Sequence, residues 1–227
     1  GFLKDLDQMV EWSRGALKIA KDYTVEHLDL AKNFAAFDSN HLGFVREGDG
    51  AMDLYHGRLR AVDAQGKRIV DDVDYLNYTD VVAEEIRPWS YMKFPFIKAL
   101  GPEEGWYRVG PLSRVNVCDF IDTPEAEAAR KEFMGLTDGK PNNVTMAYHW
   151  TRMIETLHAA EKIRDLLNDS DLQGDDLVTT GERREEGVGI VEAPRGTLFH
   201  HYKVDENDQI TMANLIVSTT SNNEPMN

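Results

Sequence analysis

The scarcest residue in this sequence is cysteine, since Cys118 is the only one among 227 residues. A single cysteine cannot form a disulfide framework or a metal site built from several thiolates. A thiol without a partner suits a reducing compartment, so we expect a cytoplasmic protein. Nothing in the sequence places a catalytic base beside Cys118, and a lone cysteine usually behaves as a small buried hydrophobe.

Basic residues and long apolar runs are also scarce. Lysine and arginine number 25 against 40 acidic residues, which gives a formal net charge of −15. A nucleic-acid-binding protein needs a basic patch, so we expect no nucleic-acid partner. No apolar run approaches the ~20 residues that cross a bilayer, and no signal-peptide segment opens the sequence, so we also expect no membrane partner.

The spacing of apolar residues predicts an α+β fold, mostly helical, with two β-hairpins in one domain. Apolar residues recur every three or four positions over Phe2–Ala20 and Val25–Phe37, so we expect residues 1–50 to be helical. A second helical region is expected over residues 123–170. It opens with Thr123-Pro124, a pairing typical of a helix N-terminus because proline is tolerated at the first helical position.

The strands are expected in two places. The first hairpin and an irregular, proline-punctuated segment occupy residues 51–122, because short alternating runs flank Ala64-Gln65-Gly66. Residues 171–187 are polar and predict a linker. The second hairpin covers residues 188–223, with one continuous strand over Gly189–Tyr202 and its partner over Gln209–Thr220.

Two constellations could carry chemistry. His200-His201 are adjacent on a predicted strand and point to opposite faces, so hydrogen-bonded structural histidines are favoured over a metal pair. Arg195 stands between Pro194 and Gly196 in an otherwise apolar segment. A buried guanidinium needs an anion, but the residues also fit a surface arginine in a Pro-Gly turn, and spacing alone favours the turn.

Several long segments of this sequence resemble the catalytic large subunit of nickel–iron hydrogenases, specifically the soluble NAD-reducing subgroup. They are GVGIVEAPRGTLFHHY at residues 187–202, LIVSTTSNN at 215–223, YRVGPLSRVNVC at 107–118, PWSYMKFP at 88–95 and TPEA at 123–126. The resemblance runs from the first predicted hairpin to the end of the sequence. It implies the hydrogenase large-subunit fold.

The resemblance also implies a role for particular residues. In the family, a nickel–iron centre with cyanide and carbon monoxide ligands is held by four cysteines. By the match, Arg195 would lie over the metals as a catalytic residue and donate hydrogen bonds to a cyanide. Pro194 would pack against the diatomic ligands, Ser218 and Thr219 would line the cyanide pocket, and His200 would stand behind them.

The departures from the family pattern shape the expected function. None of the four cysteines is present, so we expect no metal in this chain, and neither His nor carboxylate groups replace the thiolates. We therefore expect the central part of a large subunit that is inactive alone. The parent complex would contain flavin and NAD subunits together with an iron–sulfur small subunit. Exposed apolar faces at Phe2–Ala20 and Leu215–Val217 would favour self-association.

Two other interpretations stay open from the sequence. A cysteine-free relative could have kept the fold as a structural or quinone-handling subunit, like the corresponding subunit of respiratory complex I. In that family the corresponding segment resembles Pro-Lys-Gly, whereas this sequence has Pro194-Arg195-Gly196. An unrelated acidic interaction module would leave the agreement of the long motifs unexplained.

Overall fold

The computed structural model describes residues 2–227, in which α-helices and three β-sheets alternate along the chain. The helices are α1 (Leu6–Glu26), α2 (Leu28–Asn33), α3 (Tyr78–Val81), α4 (Gly101–Glu104), α5 (Pro111–Val117), α6 (Pro124–Gly135), α7 (Tyr148–Leu167), α8 (Ser218–Ser221) and α9 (Asn223–Met226). The strands are β1 (Asn40–Val45), β2 (Arg58–Val62), β3 (Arg68–Val73), β4 (Val82–Ile86), β5 (Lys93–Ile97), β6 (Tyr107–Arg108), β7 (Glu186–Ala193), β8 (Gly196–Val204) and β9 (Ile210–Ile216). The α+β class predicted from the sequence is confirmed.

A four-stranded sheet in the order β3-β2-β1-β6 forms the centre of the molecule. The predicted first hairpin is its β2–β3 pair, which is antiparallel. The expectation that residues 1–50 are all helical is wrong, because Asn40–Val45 forms β1. All six of its residues are buried, and a short continuously buried run favours a strand with neighbours on both faces over an amphipathic helix.

The long helices pack on one another beside this sheet. Helix α1 forms where the periodicity predicts it, and it buries Leu6 and Val10 while Phe2, just before it, stays exposed. Helix α2 is shorter than predicted: it ends at Asn33, and Phe34 is already extended. Helix α6 begins after Thr123 as expected, but its first amide groups are capped from another helix. The Glu161 carboxylate of α7 accepts hydrogen bonds from the backbone N–H groups of residues 125 and 126 at 3.1 and 3.0 Å.

The proline-punctuated segment is more regular than its sequence suggests. It contains strand β5, which pairs with β4, and helix α5. The expectation of an irregular segment is wrong at Pro111–Val117, which is helical. The proline occupies the first turn of the helix, where its missing N–H costs nothing. All seven residues of α5 are buried, including Arg114.

A three-stranded antiparallel sheet in the order β7-β8-β9 closes the fold. The predicted continuous strand over Gly189–Tyr202 is wrong, because the chain reverses at Pro194-Arg195 and residues 186–204 form a hairpin of their own. Proline cannot donate to a strand ladder and glycine permits the turn, which explains the break. The residues between α7 and β7 are exposed and without strands, as the linker prediction requires.

One apolar core joins the two larger sheets, so that the β7–β8 hairpin has a fixed position. Its fully buried side chains include Leu42, Phe44, Leu59, Ile97, Tyr107, Phe199 and Ile216. Within residues 2–227, none of the helices has the length and apolarity that crossing a bilayer requires.

Candidate functional site

The turn between β7 and β8 carries the residues that the resemblance singles out. Pro194 and Arg195 form a two-residue connection between the paired residues Ala193 and Gly196, and both are exposed. Gly196 has a φ of 129°, and a Cβ atom there would lie 2.2 Å from Val109 Cγ2. Only glycine fits that close approach, so the turn sits directly against the backbone that leads into α5.

A buried charge cluster anchors the base of this turn. Arg114 Nη1 donates to Glu192 Oε2 at 2.7 Å and to the Ala193 carbonyl oxygen at 3.0 Å. The same guanidinium binds Glu155 through Nε at 2.5 Å and Nη2 at 2.8 Å. This fork geometry is typical of strong arginine–carboxylate pairs. Residues from α5, α7 and β7 are therefore held together immediately before the turn.

Glu192 also ties the turn to the central sheet. Its Oε1 accepts hydrogen bonds from the Phe44 N–H of β1 at 3.0 Å and from the Thr197 hydroxyl of β8 at 2.8 Å. Complete burial raises the pKa of Glu192 in spite of the Arg114 charge, and burial is the larger influence. Burial also opposes the charge of Arg114, but the two glutamates raise its pKa overall. The cluster is thus held by matched hydrogen bonds at every polar atom that faces the core.

Helix α7 supports the turn from the other side. Arg152 Nη1 donates to the Pro194 carbonyl oxygen at 2.8 Å, and the Tyr148 hydroxyl donates to the Val109 carbonyl oxygen at 2.8 Å. Residues 148 and 152 are four apart and so lie on one face of the helix. The exposed turn that carries Arg195 is therefore supported by backbone contacts on both sides.

A cleft of about 490 Å³ opens beside the turn. It is lined by residues from five parts of the chain: Ala35, Phe37, Arg108, Pro111, Thr145, Tyr148, Arg152, Arg195, Thr219, Asn222, Pro225 and Met226. The structure therefore brings Arg195 and Thr219 together. Ser218 is buried at the start of α8 and does not line this cleft, and Pro194 meets it only through its carbonyl contact with Arg152.

The structure does not bring His200 to Arg195. His200 lines a separate cavity with Tyr55 and His56, and its Nδ1 lies 3.1 Å from the Tyr202 hydroxyl. His201 points elsewhere, with Nδ1 against the Tyr78 hydroxyl and Nε2 against a Glu186 carboxylate oxygen. Both histidines are hydrogen-bonded, as expected for adjacent residues that point to opposite faces of a strand. No contact of His200 reaches the turn among the described residues, so its place behind the site stays a prediction.

Sequence reasoning missed Arg114, Glu155 and Arg152, which hold the turn in place. One feature of the sequence could have identified Arg114: it lies inside the segment at residues 107–118 that resembles the family. Its partners come from positions 41 and 78 residues away, and no spacing rule joins them. Cys118 is buried, as expected for a small hydrophobic side chain, and burial raises the pKa of its thiol to about 12.

The donor set does not fit a nickel–iron centre as its ligands. Within residues 2–227, no group of three or more His, Cys, Asp or Glu side chains converges to hold a metal ion. The one thiol is buried and protonated, whereas such a centre needs several thiolates. What the cleft offers is hydrogen-bond donors: guanidinium groups and the Thr219 hydroxyl.

Comparison with known proteins gives a consistent result. A family model described as nickel-dependent hydrogenase matches residues 32–227. NAD-reducing hydrogenase HoxS subunit beta of Cupriavidus necator is 46% identical over 99% of this chain and 46% of its own length. The vhu F420-non-reducing hydrogenase subunit of Methanocaldococcus jannaschii is 41% identical over 97% of this chain and 52% of its own length.

Solved structures show the same similarity. The crystal structure of an NAD+-reducing [NiFe]-hydrogenase in the H2-reduced state superposes with a TM-score of 0.93 at 44% identity, covering 99% of this chain and 49% of that one. A [NiFeSe]-hydrogenase from Dm. baculatum shares the fold with a TM-score of 0.67 at 19% identity, over 97% and 50% of the two chains. The chain spans about half the length of the relatives it matches.

Proposed function

The chain belongs to the nickel-dependent hydrogenase family, and we propose that it forms the central part of the large subunit of an NAD-reducing hydrogenase. The parent reaction is reversible oxidation of dihydrogen to protons and electrons, coupled to NAD reduction. Membership in the family leaves no role for an unrelated interaction module. The observation that carries the proposal is the position of Arg195, on a turn that three separate elements hold at the rim of a donor-lined cleft.

In this proposal, Arg195 and Thr219 form part of the wall beside the metal centre. A guanidinium stays charged at every working pH and presents its donors in a fixed plane. Arg195 would therefore donate hydrogen bonds to an anionic ligand on the iron, and Thr219 would add a hydroxyl from the same cleft. Pro194 and Ser218 would supply packing around them. No step at the metals is assigned to this chain, because its residues do not fit the centre as ligands.

The buried cluster of Arg114, Glu155 and Glu192 explains how the turn that carries Arg195 would be held in a fixed position. A catalytic donor must be held in place before the reaction to contribute fully. The Arg195 side chain is exposed, so the position of its guanidinium depends on how firmly the backbone of the turn is held. Arg114, Glu192 and Arg152 fix that backbone through side chains and carbonyl contacts within 3.0 Å. The Glu-Ala-Pro-Arg-Gly motif thus combines an anchor, a turn and a donor.

Substituting Arg195 in the complete large subunit, within its assembled complex, tests the proposal. We expect Arg195→Lys to keep the nickel and iron content but to lower dihydrogen oxidation roughly 100-fold or more, as expected when one preorganised donor is lost. Arg184→Lys is the matched control, because Arg184 is exposed and lies outside the cleft. Unchanged turnover in Arg195→Lys with intact metal content would refute the catalytic role.

The proposed partners are flavin and NAD subunits together with an iron–sulfur small subunit, which would carry electrons from the metal centre to NAD. Support comes from the 46% identity to one component of an NAD-reducing hydrogenase. Co-purification of the tagged complete large subunit tests this assignment. Recovery of iron–sulfur and flavin absorbance with the tag would support it, and recovery of the tagged protein without either absorbance would count against it.

A further inference from the structure

Two glycines lie within strand β7 at positions where the backbone does not require them. Gly187 and Gly189 pair with Tyr202 and His200 of β8, and the register between the two strands is continuous. Neither glycine has a positive φ. Glycine inside a strand weakens it, because the backbone loses more freedom on folding and no side chain is there to pack. A glycine that neither a turn nor a bulge explains indicates a place where another group comes close to the backbone.

Both glycines lie on the face of the hairpin that points away from the core. Side chains alternate between the two faces of a strand, and Val188 and Ile190, which alternate with the glycines, contribute to the core. A Cβ atom added at Gly187 or at Gly189 would have no other atom of residues 2–227 within 4 Å. The missing side chains therefore leave open space over the outer face of β7.

At Gly189 this open space belongs to a cavity of about 540 Å³. The outer face of the hairpin contributes Gly189 and Leu198 to it, and four aromatic rings complete the lining: Tyr55, His56, Tyr75 and His200. An apolar surface with aromatic walls and a few polar groups is typical of small-molecule sites, and the volume lies within their usual range.

The loop that carries two of these rings is fixed before any ligand arrives. Asp53 Oδ1 accepts hydrogen bonds from the backbone N–H groups of Tyr55 and His56 at 2.8 and 2.7 Å. The Leu54 carbonyl oxygen accepts another from the Glu192 N–H of β7 at 3.1 Å. The loop is thereby joined to the strand that forms the floor of the cavity. A preformed cavity lowers the cost of ordering side chains and loops on binding.

The polar groups of the cavity can both donate and accept hydrogen bonds. His200 Nδ1 lies 3.1 Å from the Tyr202 hydroxyl, which leaves Nε2 of the same ring available to a ligand. The hydroxyl groups of Tyr55 and Tyr75 have no hydrogen-bond partner in the part of the chain that the structure describes. No Asp, Glu, Lys or Arg of that part lines the cavity. A ligand with a formal charge would therefore lose its water without gaining a counter-ion.

We propose that this cavity binds an uncharged planar ring whose edge carries both hydrogen-bond donors and acceptors, as a nucleobase does. The ring would lie over Gly189, where no side chain holds it away from the strand, with the tyrosine rings beside it. Hydroxyl and imidazole groups match donors and acceptors alike, and stacking on aromatic side chains suits any base, because every base has a π-face. The inference does not depend on the proposed function, since this cavity shares no lining residue with the cleft beside Arg195.

The test fills the open space with a side chain that a strand accepts. Gly189→Val places two methyl groups where the ring would lie, and valine suits an extended backbone. Gly187→Val is the matched control, because it makes the same change on the same face of β7 outside the lining of the cavity. Tyr75→Phe removes one hydroxyl and keeps the ring. We expect Gly189→Val in the complete complex to melt at or above the temperature of the wild type, since it fills space without a clash.

Binding is measured by equilibrium dialysis of the complete complex against labelled adenosine, uridine and ribose. We expect both nucleosides to bind and ribose not to, with binding weakened about tenfold or more in Gly189→Val and about two- to tenfold in Tyr75→Phe. Gly187→Val should match the wild type. Sites on other subunits would be common to all the variants, so only the difference between Gly189→Val and Gly187→Val reports on this cavity.

Three results would overturn the proposal. The first is equal nucleoside binding by Gly189→Val and Gly187→Val, and the second is binding of ribose as tight as that of adenosine. The third is a melting temperature of Gly189→Val well below that of Gly187→Val, because it would mean that another part of the complete complex already fills the space over Gly189.

Discussion

Removing the cation from the buried cluster gives the sharpest test of how this fold is held together. Arg114 has 2% of its side chain exposed, and its partners Glu155 and Glu192 have 12% and 0%. Arg114→Gln would leave two carboxylates facing each other without the guanidinium between them. Breaking a buried pair by removing one partner typically costs about 3–5 kcal/mol. That is a large share of the ~5–15 kcal/mol by which a domain is stable.

The loss is measurable by thermal unfolding followed by circular dichroism. For a protein of this size, 1 kcal/mol shifts the melting temperature by roughly 2–4 °C, so the variant should melt on the order of 6–20 °C lower. The control is Arg14→Gln, which breaks an ion pair with Glu125 whose two side chains are 47% and 37% exposed. We expect little change there, because exposed ion pairs are screened by water.

The pH dependence of the Arg114→Gln variant gives an independent check. Burial raises the pKa of Glu192 above its ordinary value of 4.5, and without Arg114 the hydrogen bond from the Thr197 hydroxyl is left as a weaker opposing influence. The folded state would then bind a proton at a higher pH than the unfolded state, so the penalty is full at neutral pH and fades as pH falls through the raised pKa. This account of the cluster would be refuted if Arg114→Gln had the same melting temperature as Arg14→Gln. It would also be refuted if the loss in melting temperature of Arg114→Gln did not change with pH.

Three further predictions concern the packing around the site. Burial lowers the pKa of His41 to about 3, so this residue should make stability in urea fall by up to about 1.4 kcal/mol per pH unit below pH 6.5. His41→Gln should reduce the slope by that amount and leave the contribution of His158, whose pKa burial also lowers. Gly196→Ala should destabilise the protein by at least ~1–3 kcal/mol in thermal unfolding, because its φ is 129° and its Cβ would strike Val109. The control is Gly187→Ala on strand β7, where an added Cβ atom meets open space, and it should not destabilise the protein. The Cys118 thiol, with a pKa raised to about 12, should resist a thiol reagent at pH 8 until denaturant is added; rapid labelling of the folded protein would contradict its burial.

Local sequence patterns were sufficient where the physics is local. Helix α6 begins at Pro124 because a proline tolerates the first turn, and the β2–β3 hairpin forms around Gly66, whose φ of 88° a turn requires. The same reasoning failed at Asn40–Val45 and at Pro111–Val117. Both segments are completely buried, and burial on all sides erases the contrast between polar and apolar faces on which periodicity depends.

The candidate site shows the same division. The specific motif around Pro194-Arg195-Gly196, through its resemblance to the family, singled out Arg195, whereas spacing alone favoured a surface arginine in a turn. Only the tertiary structure decided that Thr219 joins Arg195 at one cleft while His200 opens on another cavity.

The supports of the turn were likewise invisible along the chain. Arg114 meets Glu155 and Glu192 across 41 and 78 residues. Charge pairing depends on distance and burial in three dimensions, and neither quantity can be read from the order of residues. The sequence by itself therefore determined the family and the motif that contains Arg195, and the reversal of the chain at that motif emerged only in the structure. Tertiary packing determined which charges are neutralised, and which three guanidinium groups are left to face the same cleft.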